Sequence, residues 1–216
     1  FLWNQTTRKR GKMKREVIAG ILIALGLAVM SVPLYYRYTG SQKSDEMVER
    51  FEHMVEDIEH EEKEDCGQEE TEAALSEEDT ATLSKEKVIG LIEIETMELK
   101  SAVLEGTGNH ELSCGIGHIP DTAGIGEKGN CVLAGHNGSR HGTFFTNLKT
   151  MEMGEIVKLT DKEGNSYSYV VESMEVVGPY DNAVKAQGEE TELTLITCEN
   201  KGTMRLIVKC RLQEVE

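Results

Sequence analysis

Thr194-Leu-Ile-Thr-Cys198 and, after a polar loop, Met204-Arg-Leu-Ile-Val208 decide how this chain reads. The first is an apolar run, rich in β-formers, that ends in a cysteine. The second is another such run with an arginine near its start. Upstream, Val132-Leu-Ala-Gly-His136 ends a third apolar run with a histidine. A thiol, an imidazole and a guanidinium, each at a strand edge, are the parts needed for acyl transfer through a thioester.

Working outward, the segment Glu199-Asn-Lys-Gly-Thr203 between Cys198 and Arg205 has the length and composition of a hairpin turn. That hairpin would bring the guanidinium back beside the thiol. Alternation puts Arg205, Ile207 and Lys209 on one face of the second strand and Met204, Leu206, Val208 and Cys210 on the other. Arg205 has two readings: a surface cation paired to Glu199, or a fixed charge for an oxyanion. Cys198 also has two: a small buried hydrophobe, or a nucleophile at a strand rim beside Thr197 and Glu199-Asn200. His136 is the leading base candidate, with Ala134, Asn137 and Thr197 as candidate substrate contacts around it and the thiol. Its flanking glycines, Gly135 and Gly138, allow close backbone approach to a ligand. His141 is its rival. His118 reads as a turn or packing residue, His110 lies in a polar loop, and His53 and His60 lie in the preceding spacer.

The rest of the region from Val88 onward carries the same β pattern. Strands are expected near 88–94, 98–104, 130–135, 154–160, 166–177, 192–197 and 203–211. Short helical turns are expected near 109–114 and 143–149, and Asp161-Lys-Glu-Gly-Asn165 should be a hairpin turn. Seven or eight strands in about 130 residues indicate an all-β barrel or sandwich with short helices.

Charge divides the 216-residue chain into three blocks. Residues 1–40 have seven basic and one acidic residue, 41–87 have five and eighteen, and 88–216 have eleven and twenty, within a net charge of -16. An acidic body argues against nucleic acid as partner, since phosphate binding needs a basic face. The five cysteines form no C-x-x-C pair and no zinc-ligand spacing, so a disulfide framework is not expected and at least one thiol should be free.

The basic block 1–16 precedes a near-continuous apolar stretch over 17–38, about the length of a membrane-spanning helix. Arg8, Lys9, Arg10, Lys12, Lys14 and Arg15 precede it, which by the positive-inside rule puts the N-terminus in the cytoplasm and the remainder outside. A cleaved signal peptide has the same basic start, but the stretch is long for one and no clear cleavage site follows it. Residues 39–87 read as an acidic spacer. Met47, Phe51, Met54, Val55 and Ile58 recur at helical spacing, so an amphipathic helix is expected over Asp45–Glu62. It would pack on the downstream domain, pair with a partner helix, or stay solvated. Residues 63–84, with Cys66, read as linker.

The chain resembles the sortase family. The resemblance rests on Gly115-Ile-Gly-His-Ile-Pro120, Gly129-Asn-Cys-Val-Leu-Ala-Gly-His136, Gly142-Thr-Phe-Phe-Thr-Asn-Leu148, Gly154-Glu-Ile-Val157, Thr194-Leu-Ile-Thr-Cys198 and the following Arg205, in that order. It covers roughly 88–212. It implies an eight-stranded sortase-type β-barrel over 88–216, with His136, Cys198 and Arg205 as the catalytic set. It implies attack by Cys198 within a C-terminal sorting signal of the Leu-Pro-x-Thr-Gly type. His136 would protonate the leaving amine and later take the proton of the attacking one. The thioester would pass to an amine of a peptidoglycan precursor, with Arg205 holding substrate and oxyanion. No cofactor is implied, although the acidic segment 178–192 invites comparison with calcium-binding relatives. The short Cys198–Arg205 loop resembles class B and class D members. The absence of a lid segment before the barrel, or of a second hydrophobic span near Glu216, sets the chain apart from the pilus-polymerising class C. A hydrolase on the same fold and a non-enzymatic tethered β-domain are the alternatives.

Overall fold

The apolar periodicities translate directly into elements. The computed structural model describes residues 20–32, 35, 42–56, 87–138 and 144–213. Helix α1 covers 20–32, and Ile21, Leu22, Ile23, Leu25 and Leu27 on it are 60–65 % exposed. At 1.5 Å per residue it is about 20 Å long, short of the roughly 30 Å hydrocarbon core. Among the described residues no helix is long and apolar enough to cross a membrane. The expected span over 17–38 runs beyond α1 on both sides into residues outside those described.

Helix α2 covers 42–56. Its apolar stripe is spent on the barrel wall. Met47 packs with Ala102, Leu104 and Cys114, while Val48 and Phe51 pack on Leu91, with Met54, Val55 and Val88 at the margin. The buried Ser44 hydroxyl lies 3.3 Å from that of Ser101, and Lys100 pairs with Glu52. Of the three readings of this helix, docking on the downstream domain is the one observed. The remainder of the expected helix, 57–62, and the linker 63–84 lie outside the described residues.

Eight strands follow: β1 (Val88–Ile94), β2 (Leu99–Glu105), β3 (Ile116–His118), β4 (Gly129–Gly135), β5 (Ile156–Asp161), β6 (Ser166–Val177), β7 (Thr191–Glu199) and β8 (Met204–Leu212). Helix α3 (Asn109–Cys114) joins β2 to β3. The strands close into one barrel in the order β1-β2-β3-β4-β7-β8-β6-β5. Closure leaves no unpaired sheet edge. Two neighbouring pairs, β2 with β3 and β4 with β7, are parallel. Parallel neighbours need a crossover. The first is α3, and the second is the whole β5–β6 excursion.

Residues of one parity point into the barrel and those of the other point out. Cys131, Leu133, Leu193, Leu195, Leu206, Val208 and Cys210 lie in the main core around Tyr169. Their alternates Val132, Ile196 and Ile207 form a second cluster on the outside, capped by Val184 from the β6–β7 loop. The expected split of β8 into two faces therefore holds, with Cys210 in the core. The β5–β6 turn is built by Asp161, whose Oδ1 accepts from the amides of Glu163 (3.0 Å) and Asn165 (2.9 Å), with Gly164 at φ +87°. β3, which was not expected from the sequence, is only three residues long and has a glycine at its centre.

Candidate active site

The outer cluster is the floor of a cleft. β4 and β7 run side by side with Ala134 opposite Ile196 and Gly135 opposite Thr197. β7 turns back into β8 with Ile196 opposite Ile207 and Cys198 opposite Arg205. The sequence expectation of a hairpin that returns the arginine to the thiol is met at the level of register. The reversal is a 3₁₀ turn over Asn200–Gly202, with all three residues at positive φ (48°, 58° and 89°). Because alternation keeps Ala134, Ile196, Cys198, Arg205 and Ile207 on one face, the cysteine and arginine share the outer surface. His136 follows directly where β4 ends. The cleft has a volume of about 350 Å³ and is lined by His136, Cys198 and Arg205, with Ile119, Val184 and Ile207 among its apolar walls.

Each candidate residue has a definite setting. Cys198 is partly exposed, whereas Cys114, Cys131 and Cys210 are buried. Burial in the apolar barrel pushes the thiols of Cys131 and Cys210 up to about 12, with nearby carboxylates adding to the effect. Those two sulfurs stay protonated, and a protonated thiol is a poor nucleophile. Cys66 lies outside the described residues. The Nη1 group of Arg205 donates to the main-chain carbonyls of Gly202 (3.0 Å) and Met204 (2.9 Å). Among the described residues it makes no ion pair, so the Glu199 pairing considered from sequence is not formed. The turn aims the guanidinium, and among the described residues its Nε and Nη2 protons have no protein acceptor.

Thr197 reaches the cleft lining, but it is 2 % exposed and its hydroxyl donates to the Gly135 carbonyl at 2.7 Å. Ala134 lines the cleft. Asn137, expected against substrate, instead turns its amide to the protein, donating from Nδ2 to the Cys198 carbonyl at 2.7 Å.

The competing histidines separate by environment. His118 is 5 % exposed. Its Nδ1 lies 2.9 Å from Glu105 Oε2, and its Nε2 lies 2.9 Å from the Ala123 carbonyl and 3.0 Å from Thr122 Oγ1. With both ring nitrogens committed, it braces the β3–β4 loop. His110 is exposed on α3, and His53 is exposed on α2 beside Glu56. His141 and His60 lie outside the described residues.

One supporting group had no sequence signal. Asn130 donates through Nδ2 to the carbonyls of Val184 and Ala186 and accepts from Thr194 Oγ1 at 2.8 Å. Gln187 exchanges two bonds with the Asn130 main chain. Together they hold the β6–β7 loop over the cleft. The expected acidic character of that loop is spent differently: Asp181 caps the 3₁₀ turn Asn182–Lys185 by accepting from the Ala183 amide. Among the described residues no three His, Cys, Asp or Glu side chains converge as metal ligands would.

A partly exposed thiol, an imidazole on the adjoining strand end and an oriented cation thus share the outer wall of a closed eight-stranded barrel. The sequence model of the sortase domain matches residues 92–213. The chain belongs to the sortase family. It is 32 % identical over 184 residues to Sortase A of Bacillus anthracis, a match covering 85 % of this chain and 86 % of that protein. It is 30 % identical over 110 residues to Sortase D of Bacillus subtilis, covering 50 % of this chain and 53 % of that one. Among solved structures, a Sortase D5 transpeptidase of Clostridium perfringens superposes with a TM-score of 0.58 at 27 % identity, covering 81 % of this chain and 98 % of that one. Sortases are cysteine transpeptidases, and this sortase is an enzyme of that class.

Proposed function

We propose that this sortase is anchored in the plasma membrane of a Gram-positive cell by a helix over 17–38, with its N-terminus inside and its barrel outside. There it cleaves a C-terminal sorting signal of the Leu-Pro-x-Thr-Gly type and joins the protein to an amine of a cell-wall precursor. The observation that carries the reading is the direct pairing of Cys198 with Arg205 across β7 and β8, on the cleft face, beside the strand end that bears His136. The exposed apolar side chains of α1 support the anchor, because such a surface is stable in hydrocarbon and costly in water. The short β7–β8 turn favours a class B- or class D-like member.

In this reading the thiol proton of Cys198 passes to His136, and Cys198 Sγ attacks the Thr carbonyl carbon. The carbonyl oxygen takes the negative charge and meets the Nε and Nη2 protons of Arg205. The C–N bond breaks as His136 gives a proton to the leaving amine, and a thioester to Cys198 remains. The incoming amine loses its proton to His136, attacks the thioester and expels the thiolate. Protein groups supply every step. Ala134 and the apolar walls contact the peptide.

The test is product analysis by mass spectrometry. The full chain in detergent is incubated with a sorting-signal peptide, with and without a triglycine acceptor. The expected products are a Thr–Gly ligation product with acceptor, slow hydrolysis without it, and neither from Cys198→Ala. Identical water-cleaved products under both conditions would establish the hydrolase alternative, and undiminished cleavage by Cys198→Ala would overturn the site.

A further inference from the structure

The last backbone pair of the β4–β7 ladder is Gly135 with Thr197, yet both proposed reacting side chains lie beyond it. Something other than the ladder must hold His136 and Cys198 in register. Several hydrogen bonds among the described residues surround this point. On the far side of β4, the Phe145 amide donates to the His136 carbonyl at 3.1 Å, and the Gly138 amide donates to Thr146 Oγ1 at 3.1 Å. On the near side, the Asn137 amide donates to the Cys198 carbonyl at 2.7 Å, and the Thr197 hydroxyl donates to the Gly135 carbonyl at 2.7 Å.

The last two bonds are reciprocal. The residue before the cysteine holds the carbonyl before the histidine, and the residue after the histidine holds the carbonyl of the cysteine. Asn137 Nδ2 thus serves where a further backbone N–H of β4 would have continued the parallel ladder. The Cys198 carbonyl is an obligate acceptor, so only the NH₂ end of the side chain fits there.

We propose that Asn137 is a positioning residue: its amide extends the β4–β7 ladder by one side-chain bond and thereby fixes the spacing of His136 and Cys198. This rests on the catalytic assignment of those two residues and adds the element that aligns them. Asn137 is exposed and outside the cleft lining, so it acts through the Cys198 main chain and not on substrate. Being exposed, the bond also adds little to global stability, because water can take its place. Alignment and stability therefore separate experimentally.

Asn137→Asp keeps the shape but sets an acceptor against the Cys198 carbonyl, and Asn137→Ala removes the bond. Misplacement of reacting groups by about 1 Å costs on the order of 100-fold. The full-chain variants should lose kcat by roughly 10-fold (Ala) to 100-fold (Asp), with KM within about twofold of wild type and Tm little changed. The second-order rate of Cys198 alkylation by iodoacetamide should change as well, although that reagent makes no peptide contacts. A rise in KM with kcat and alkylation rate unchanged would show that Asn137 contacts substrate and overturn the proposal. So would wild-type behaviour in both assays. If peptide mapping of the wild type places the alkylated thiol anywhere but Cys198, the catalytic assignment fails and not the bracing role.

Discussion

Arg205 offers the sharpest mutational test, because its geometry separates charge from shape. It sits directly opposite Cys198, a separation of about 5 Å between Cα atoms in an antiparallel pair. Its Nη1 is held by two turn carbonyls at 3.0 and 2.9 Å, so the two Nη1 protons are committed while Nε and Nη2 remain. A guanidinium can anchor and donate at once. A lysine has a single nitrogen, so in Arg205→Lys the ammonium either stays with the Gly202 and Met204 carbonyls or leaves them for the cleft. One oxyanion donor is worth about 2.7–4 kcal/mol, or 10²- to 10³-fold in kcat. Arg205→Ala should therefore lose about 10³-fold, and Arg205→Lys, which keeps a mobile charge, about 10²-fold. The assay is steady-state cleavage of a fluorogenic sorting-signal peptide, with Tm recorded beside it. If Arg205→Lys keeps more than about a third of wild-type kcat, the two-point anchoring argument is refuted. If Arg205→Ala raises only KM, the arginine binds the ground state and the oxyanion role is lost.

Further consequences follow from the barrel and its supports. Phe51 on α2 is 1 % exposed against Leu91, so Phe51→Ala should cost about 3 kcal/mol and lower Tm by roughly 10 °C while leaving kcat of the folded enzyme unchanged. An unaltered Tm in a thermal melt would mean that α2 is not docked. Native protein at pH 8 should be alkylated at Cys198 and spared at Cys131 and Cys210, which become reactive only in denaturant. These two thiols keep their protons to about 12 in the fold, whereas unfolded cysteines release theirs from roughly pH 8.5. The unfolded state then binds fewer protons, so stability falls as pH rises, by about 1.4 kcal/mol per pH unit per thiol. Cys210→Ala should flatten that alkaline decline in urea titrations, and an unchanged slope would rule the thiol out as its source. Asn130→Ala strips the β6–β7 loop of its buried tether and should cost about 2 kcal/mol and raise KM for the peptide. A KM equal to wild type would show that the loop is held by other means.

The sequence was most legible where one face is buried and the other is not. β6 and α3 match the expected ranges end to end, because Asn165 and Gly178 bound the first and Gly108 and Gly115 the second, and β1 matches as a short apolar run. β5 starts two residues late because Gly154, at φ +91°, still belongs to the preceding turn. β3 escaped because Ile116-Gly-His118 is too short for a period, and its pairing partners on β2 and β4 are distant in sequence. At the site, the neighbourhood of Cys198 and Arg205 followed from hairpin spacing, a local property. The duties of Asn137, Asn130 and His118 did not, since each is fixed by a hydrogen bond to a residue 61, 64 or 13 positions away. No periodicity marks such bonds, and a polar residue in a loop reads the same whether it faces substrate or the chain itself.

The central claim is that Cys198 carries the acyl group. Its most direct measurement is peptide-mapping mass spectrometry of the full chain, acid-quenched during turnover of a sorting-signal peptide with no amine acceptor present. The expected result is a thioester adduct with the mass of the peptide's N-terminal fragment, on the segment containing Cys198, absent from Cys198→Ala and discharged by triglycine. An adduct on another residue, or turnover with no adduct at any quench time while the peptide is cleaved by Cys198→Ala, would contradict it.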